Sequence, residues 1–129
     1  MSIYLDSSAL VKLVIVEAES TALRTYLRTH RSRRISCDLA RVEVIRAVAQ
    51  NGAKNVAMAK QVLHRLHSVS LARALIDTAA GLGPAVLRSP DAIHLAAAMQ
   101  IPDLESLITY DQRMLDAANQ LGIPTARPT

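Results

Sequence analysis

Ile3-Tyr4-Leu5-Asp6-Ser7-Ser8-Ala9-Leu10-Val11 sets three apolar residues before an acid, two serines after it, and then a second apolar run. The first three residues read as a short buried strand. Ser7 and Ser8 can cap a short helix through Val14. The same design returns near the other end. Leu107-Ile108-Thr109-Tyr110 reads as a strand that stops on Asp111, and a helix follows from about Gln112 to Leu121, ended by Gly122. Two strand–acid–helix units far apart in one chain predict strands that run in parallel.

The intervening segments fit that plan. Ser20 to Thr29 carries Leu23 and Leu27 four apart and reads as a helix, followed by a basic loop, Arg31-Ser32-Arg33-Arg34. Ile35 to Cys37 is a second short strand. Asp38 caps a helix to about Asn51, where Gly52 stops it. A further helix runs from Val56 to about Leu66, a strand covers Val69 to Leu71, and a helix covers Ala72 to Ala80. Pro90 stands in the favoured first turn of a long Ala-rich helix, Ser89 to about Gln100. Ile123 to Thr125 forms a last strand, and the residues around Pro128 read as a loose tail. Short strands alternating with helices predict an α/β fold, helix-rich, with a mainly parallel sheet covered on both faces. The 129 residues hold no repeat and no linker, so one domain, 1–129, is expected.

Composition narrows the function. Half the residues are hydrophobic, yet Phe and Trp are absent, so Leu, Ile, Val and Ala must fill the core. The net charge of +4 suits a polyanionic partner and equally suits a solvated basic surface. Cys37 is the only cysteine, which excludes an intrachain disulfide; its apolar flanks read as buried packing. No apolar run approaches the ~18 residues of a membrane helix, and Asp6 interrupts any leader-like core. A cytoplasmic location is expected.

Four of the 11 acids stand where solubility does not explain them. Asp6 and Asp111 follow strands, where ligand sites of parallel sheets lie, although each also precedes a helix it can cap. Asp91 sits in the first turn of a helix apolar on nearly all sides, near the sheet edge; the helix dipole also favours an acid there. Glu43, on a helix rich in apolar residues, shares a narrow stripe with Arg46 and Gln50. Its two readings are a cation site and an ion pair with Arg46. Four carboxylates in one crevice repel each other and stay ionised if a cation neutralises them. All-oxygen donors suit Mg²⁺ or Mn²⁺. His64 and His67 read as surface or packing residues rather than zinc ligands, and His94 as a packed helix residue.

With these residues placed, a family resemblance follows. Tyr4-Leu5-Asp6-Ser7-Ser8-Ala9 resembles the opening of VapC-type PIN domains, with Ser7 where Thr is common. Arg88-Ser89-Pro90-Asp91-Ala92-Ile93-His94-Leu95 resembles the family's third-acid motif, and Leu107-Ile108-Thr109-Tyr110-Asp111-Gln112-Arg113 the fourth. Glu43 with Arg46 matches the mid-chain acid helix. The closing Gly122-Ile123-Pro124 is also typical. Residues 52–87 carry no family signature. The resemblance implies a three-layer α/β/α sandwich, cleavage of RNA dependent on Mg²⁺ or Mn²⁺, a homodimer, and inhibition by a VapB-type antitoxin. It makes Asp6, Glu43, Asp91 and Asp111 the catalytic and metal-binding set, with Asp6 and Asp91 as foremost ligands and Ser8 in support. RNA would meet Lys12, Arg46, Arg88 and Arg113, while Arg31, Arg33 and Arg34 read as a solvated loop. A steep salt dependence of RNA binding follows.

Three rivals fit less well. A receiver-like domain normally has a late lysine, and none follows Lys60. An Asp-nucleophile phosphatase opening has a second Asp where Ser8 stands. A catalytically inactive PIN-like module, binding RNA or protein, remains as the alternative.

Overall fold

The computed structural model describes residues 1–129. Its strands are β1 (Ser2–Leu5), β2 (Arg33–Cys37), β3 (His67–Val69), β4 (Leu104–Ile108) and β5 (Thr125–Ala126). Its helices are α1 (Ser7–Val11), α2 (Ser20–Thr29), α3 (Asp38–Ala49), α4 (Ala53–His64), α5 (Arg73–Ala80), α6 (Ser89–Met99) and α7 (Gln112–Gln120). All pairings are parallel, in the order β3-β2-β1-β4-β5.

Alternation along β1 builds the three layers. Ile3 and Leu5 face one side and join Leu10, Leu23, Leu27, Val44, Val48 and Leu63 under α1–α4. Tyr4 faces the other side and packs with Leu75, Leu95, Leu107 and Met114 under α5–α7. The helices thus cover both faces of the sheet, as expected. The alanines of α6 (Ala92, Ala96, Ala97, Ala98) are all buried, so this helix lies close on the sheet despite the lack of large aromatics.

The strand order places the site. From β1 the chain moves outward to β2 and β3, then returns to the other flank of β1 as β4 and continues outward to β5. The direction of winding reverses at the β1–β4 pair. In such sheets a crevice opens there, outside the carboxyl ends of the strands. Asp6 and Asp111 both lie at that edge.

Several boundaries differ from the sequence reading. β4 starts at Leu104 and ends at Ile108, three residues earlier than expected at its start, because Leu107 and Ile108 pair with β1 through Tyr4 and Leu5. Thr109 and Tyr110 therefore lead into the crevice instead of completing the strand. Asp6, not Ser7 or Ser8, caps α1, which ends at Val11. Asp38 is the first residue of α3 rather than its cap. Arg33 and Arg34 belong to β2 and not to a loop. β3 comes two residues early, set by its register with Ile35–Cys37. The closing tail is tied down, since the Tyr110 hydroxyl donates to the Pro128 carbonyl at 2.8 Å. Gly122 follows the Leu121 cap of α7 as expected, whereas α3 ends on a Gln50 cap and Gly52 opens α4 as its N-cap; their φ of +74° and +101° would strain a side chain.

Candidate active site

Asp6 is 2% exposed at the carboxyl end of β1. Its Oδ1 accepts from the Ser8 hydroxyl at 2.6 Å and from the Ala9 amide at 3.0 Å, and its Oδ2 from the Thr109 hydroxyl at 2.6 Å. Capping and site geometry thus coexist in one side chain. Burial raises its carboxyl above the usual range, against the pull of His94 and these hydrogen bonds. Ser8 is a strut: it donates to Asp6 and accepts from the Tyr110 amide at 3.0 Å, which fixes the β4 exit against β1.

Asp111 divides its oxygens in the same way. Oδ1 accepts from the Arg113 and Met114 amides and caps α7, while Oδ2 lies 3.4 Å from the Arg88 guanidinium. Arg88 also reaches Asp91 Oδ2 at 3.5 Å. Asp91 is buried on the first turn of α6. Burial raises its carboxyl first and the Asp111 charge adds to this, with Arg88 opposing. Two acids that repel each other are bridged by one exposed guanidinium.

Glu43 departs from the sequence reading in its surroundings. Helix α3 is not apolar all round: Ala40, Val44 and Val48 form one buried stripe, and Val42 is 56% exposed. Glu43 flanks that stripe and makes no ion pair with Arg46. Instead its Oε1 accepts from Ser7 Oγ at 2.7 Å and from His94 Nε2 at 2.7 Å. Burial opposes its ionisation, but the bonds from His94 and Ser7 outweigh it and hold the carboxyl below its usual range. His94, 2% exposed, is packed as expected, yet it is also a polar hub. Its Nδ1 meets the Tyr4 hydroxyl at 2.8 Å and the Cys37 sulfur at 3.7 Å. Burial opposes its charge, while the contacts to Cys37 and Glu43 push its pKa up to about 10.

The structure therefore brings Asp6, Asp91, Asp111 and Glu43 to one edge. Ser7, Thr109 and the His94–Tyr4 pair belong to the same network, and sequence reasoning missed their part. Thr109 left a trace, a hydroxyl closing an apolar strand two residues before Asp111. Ser7 stood in the opening motif, but nothing local to it pointed to Glu43.

The basic candidates separate. Arg88 lies in the site, and Arg113 contributes its backbone amide there. Arg46 is exposed on α3. Lys12 is largely withdrawn: its side chain is 12% exposed, and its ammonium pairs with Glu19 at 2.8 Å and stands 4.8 Å over the Tyr110 ring. Arg34 joins Arg24, Arg28 and Arg65 around a separate cavity of about 270 Å³ floored by Leu13, Leu27, Val62 and Leu66. His64 and His67 are exposed.

A divalent cation is tested by the donors. As the side chains stand, no three His, Cys, Asp or Glu residues are close enough to grip one ion. The chemistry nevertheless fits: the donors are carboxylates, and the mutual repulsion of Asp91 and Asp111 is relieved by a positive charge. Arg88 supplies that charge from a side chain 61% exposed, with solvent to turn into.

A parallel α/β/α sandwich with four acids at the reversal of its sheet is the arrangement that the PIN resemblance of the sequence implies. The profile described as PIN domain matches residues 3–120, and the chain belongs to this family. Its similarity runs further, over whole chains, to two proteins of Mycobacterium tuberculosis. It is 47% identical to ribonuclease VapC46, covering 99% of this chain and 98% of that one. It is 43% identical to ribonuclease VapC47, covering 98% and 96%. Among solved structures, the crystal structure of Mycobacterium tuberculosis VapC20, a sarcin-ricin loop cleaving toxin, superposes with a TM-score of 0.79 at 13% identity, covering 98% of this chain and 99% of that one. A toxin–antitoxin complex from Klebsiella pneumoniae gives 0.64 at 18% identity, covering 88% and 89%. The last two speak to the fold.

Proposed function

We propose that residues 1–129 act as one PIN domain, an endoribonuclease dependent on Mg²⁺ or Mn²⁺ and the toxin of a type II toxin–antitoxin pair. It cleaves cellular RNA and so halts translation and growth until a VapB-type antitoxin binds it. The observation that carries this reading is the meeting of Asp6, Asp91, Asp111 and Glu43 at the β1–β4 edge. Full-length similarity to proteins named ribonucleases supports it.

Asp6 and Asp91 would hold the cation, with Asp111 completing the site once Arg88 moves onto the RNA backbone. A bound divalent ion supplies Lewis acidity toward the scissile phosphate. The chain itself does the rest. Glu43 is engaged through Oε1 alone, so its Oε2 would help hold the cation and take a proton from the attacking water. Arg88, Arg113 and Arg46 offer planar donors to phosphate. Lys12 lends its charge from behind its glutamate partner. We place the protein in the cytoplasm; no helix is long and apolar enough to cross a membrane. A homodimer would cover Val86, 72% exposed, and the adjoining apolar cavity of about 420 Å³ lined by Ile76, Leu82, Pro84 and Leu87.

The test is incubation of antitoxin-free protein with total cellular RNA, in Mg²⁺ and in EDTA, with sedimentation of the same preparation. The expected result is a dimer that yields discrete fragments in Mg²⁺ and none in EDTA. Fragments that persist in EDTA would falsify the metal reading. A folded protein that binds RNA and cuts nothing in Mg²⁺ or Mn²⁺ points to the second reading, an inactive binding module. The Arg88 bridge across Asp91 and Asp111 is the observation on that side.

A further inference from the structure

His94 stands on α6 three residues after Asp91, so both side chains issue from one face of one helix. Buried among alanines, an imidazole has no packing advantage over leucine, and its two polar nitrogens are costly there unless both are bonded. Both are: Nδ1 to Tyr4 of β1, beside Cys37 of β2, and Nε2 to Glu43 of α3. An ionised carboxylate only accepts, so Nε2 carries the proton. Ser7 closes the ring, donating to Glu43 at 2.7 Å and lying 3.3 Å from Nε2. Glu43 and His94 come from opposite helical layers, and their contact is made where β1 ends. Both bonds to Glu43 fall on Oε1, and Oε2 takes part in neither.

We propose that His94 is a positioning residue: a ring anchored by Tyr4 and Cys37 that grips Glu43 by Oε1, sets its place relative to Asp91 and leaves Oε2 for the reaction. A glutamate 30% exposed on the flank of α3 otherwise samples several rotamers. Charge-assisted bonds from a buried donor and a hydroxyl remove that freedom. The inference rests on the nuclease reading for what Glu43 does, but the grip itself exists without metal.

Two measurements test it on the full chain. The first is a double-mutant cycle of His94→Leu and Glu43→Ala in urea unfolding with EDTA present. The expected result is strong non-additivity, with His94→Leu far less damaging once Glu43 is gone. Additive losses overturn the proposal whatever the metal does. The second compares Mn²⁺ affinity by calorimetry with kcat and KM on RNA. His94→Leu should lower Mn²⁺ affinity and kcat by about 10- to 100-fold, the range for groups that orient ligands, with KM for RNA little changed. His94→Gln, whose amide still donates, should restore much of kcat. In the Glu43→Ala background, His94→Leu should leave Mn²⁺ affinity unmoved. Wild-type affinity and kcat in folded His94→Leu protein, or equal losses in both backgrounds, overturn it. Should His94→Leu not fold, His94→Gln and Ser7→Ala run the same cycles. If wild-type protein binds no Mn²⁺, the metal reading fails, and the metal-free cycle still decides the grip.

Discussion

Asp91→Asn protein cleaves RNA about a thousandfold more slowly than wild type in Mg²⁺, yet in EDTA at neutral pH it melts at a higher temperature. The rate loss corresponds to roughly 4 kcal/mol of transition-state stabilisation, the scale expected when a carboxylate that holds a catalytic cation is removed. The stability gain follows from the sign of the titration. Burial and the Asp111 charge raise the Asp91 carboxyl above its unfolded value. A raised acid favours folding while it is protonated, and that contribution is lost as pH rises through the folded pKa. At neutral pH the ionised group therefore opposes folding, and the similarly shaped amide does not. The Arg88 bridge that Asn gives up is to an exposed guanidinium and is worth little. Divalent cation should reverse the order. At a hundred times its Kd it stabilises wild type by about 2.7 kcal/mol, and the variant much less. Calorimetric melting of both proteins in EDTA and in Mg²⁺, beside single-turnover cleavage, reads all four values. An Asn variant that melts lower in EDTA means that Asp91 acts first as a helix-dipole partner.

The contrast between Asp91 and Glu43 shows what the sequence can carry. Asp6, Asp91 and Asp111 are each legible because their position depends on local signals: the end of an apolar run, a Pro in a helical first turn, a strand-to-helix junction. The parallel sheet is legible for the same reason, since alternation and capping are short-range properties. Glu43 is visible as an acid on an apolar-rich helix, but the only side-chain partner weighed for it there, beside a cation, is Arg46, one turn along the same helix. The true partners, Ser7 and His94, lie 36 and 51 positions away along the chain, and only the crossing of layers at the end of β1 brings them together. Apolar content alone also overstated the burial of α3, because a helix packed on one side hides one stripe whatever its other faces carry. The early end of β4 has a similar origin. Thr109 and Tyr110 have good strand character, but their polar groups are taken by Asp6, Asp111 and Pro128. Tertiary hydrogen bonds override local propensity there.

Leu95→Ala should cost about 3–4 kcal/mol of stability, toward the upper part of the range for buried leucines. Leu95 is fully buried on α6, in the cluster with Tyr4, Leu75 and Leu107. The size of the loss depends on whether neighbours can close the hole. Here Ala92, Ala96, Ala97 and Ala98 surround it on its own helix, and the chain has no Phe or Trp to swing in. An alanine helix close on a sheet has no long side chains with which to refill a void. Against a total of about 5–15 kcal/mol, such a loss leaves a small margin. Urea unfolding should show a lower midpoint with an unchanged slope. Met99→Ala, at the 48% exposed end of the same helix, should move the midpoint by no more than about 0.5 kcal/mol. The functional consequence separates packing from chemistry. Leu95 has no polar group to offer the acids, but α6 carries both Asp91 and His94, so a loosened helix shifts two supports of the site together. Leu95→Ala protein held folded at low temperature should therefore lose Mn²⁺ affinity as well as stability, whereas Met99→Ala should lose neither. A Leu95→Ala loss below about 1 kcal/mol means that α6 does not rest on the sheet as tightly as its buried alanines require.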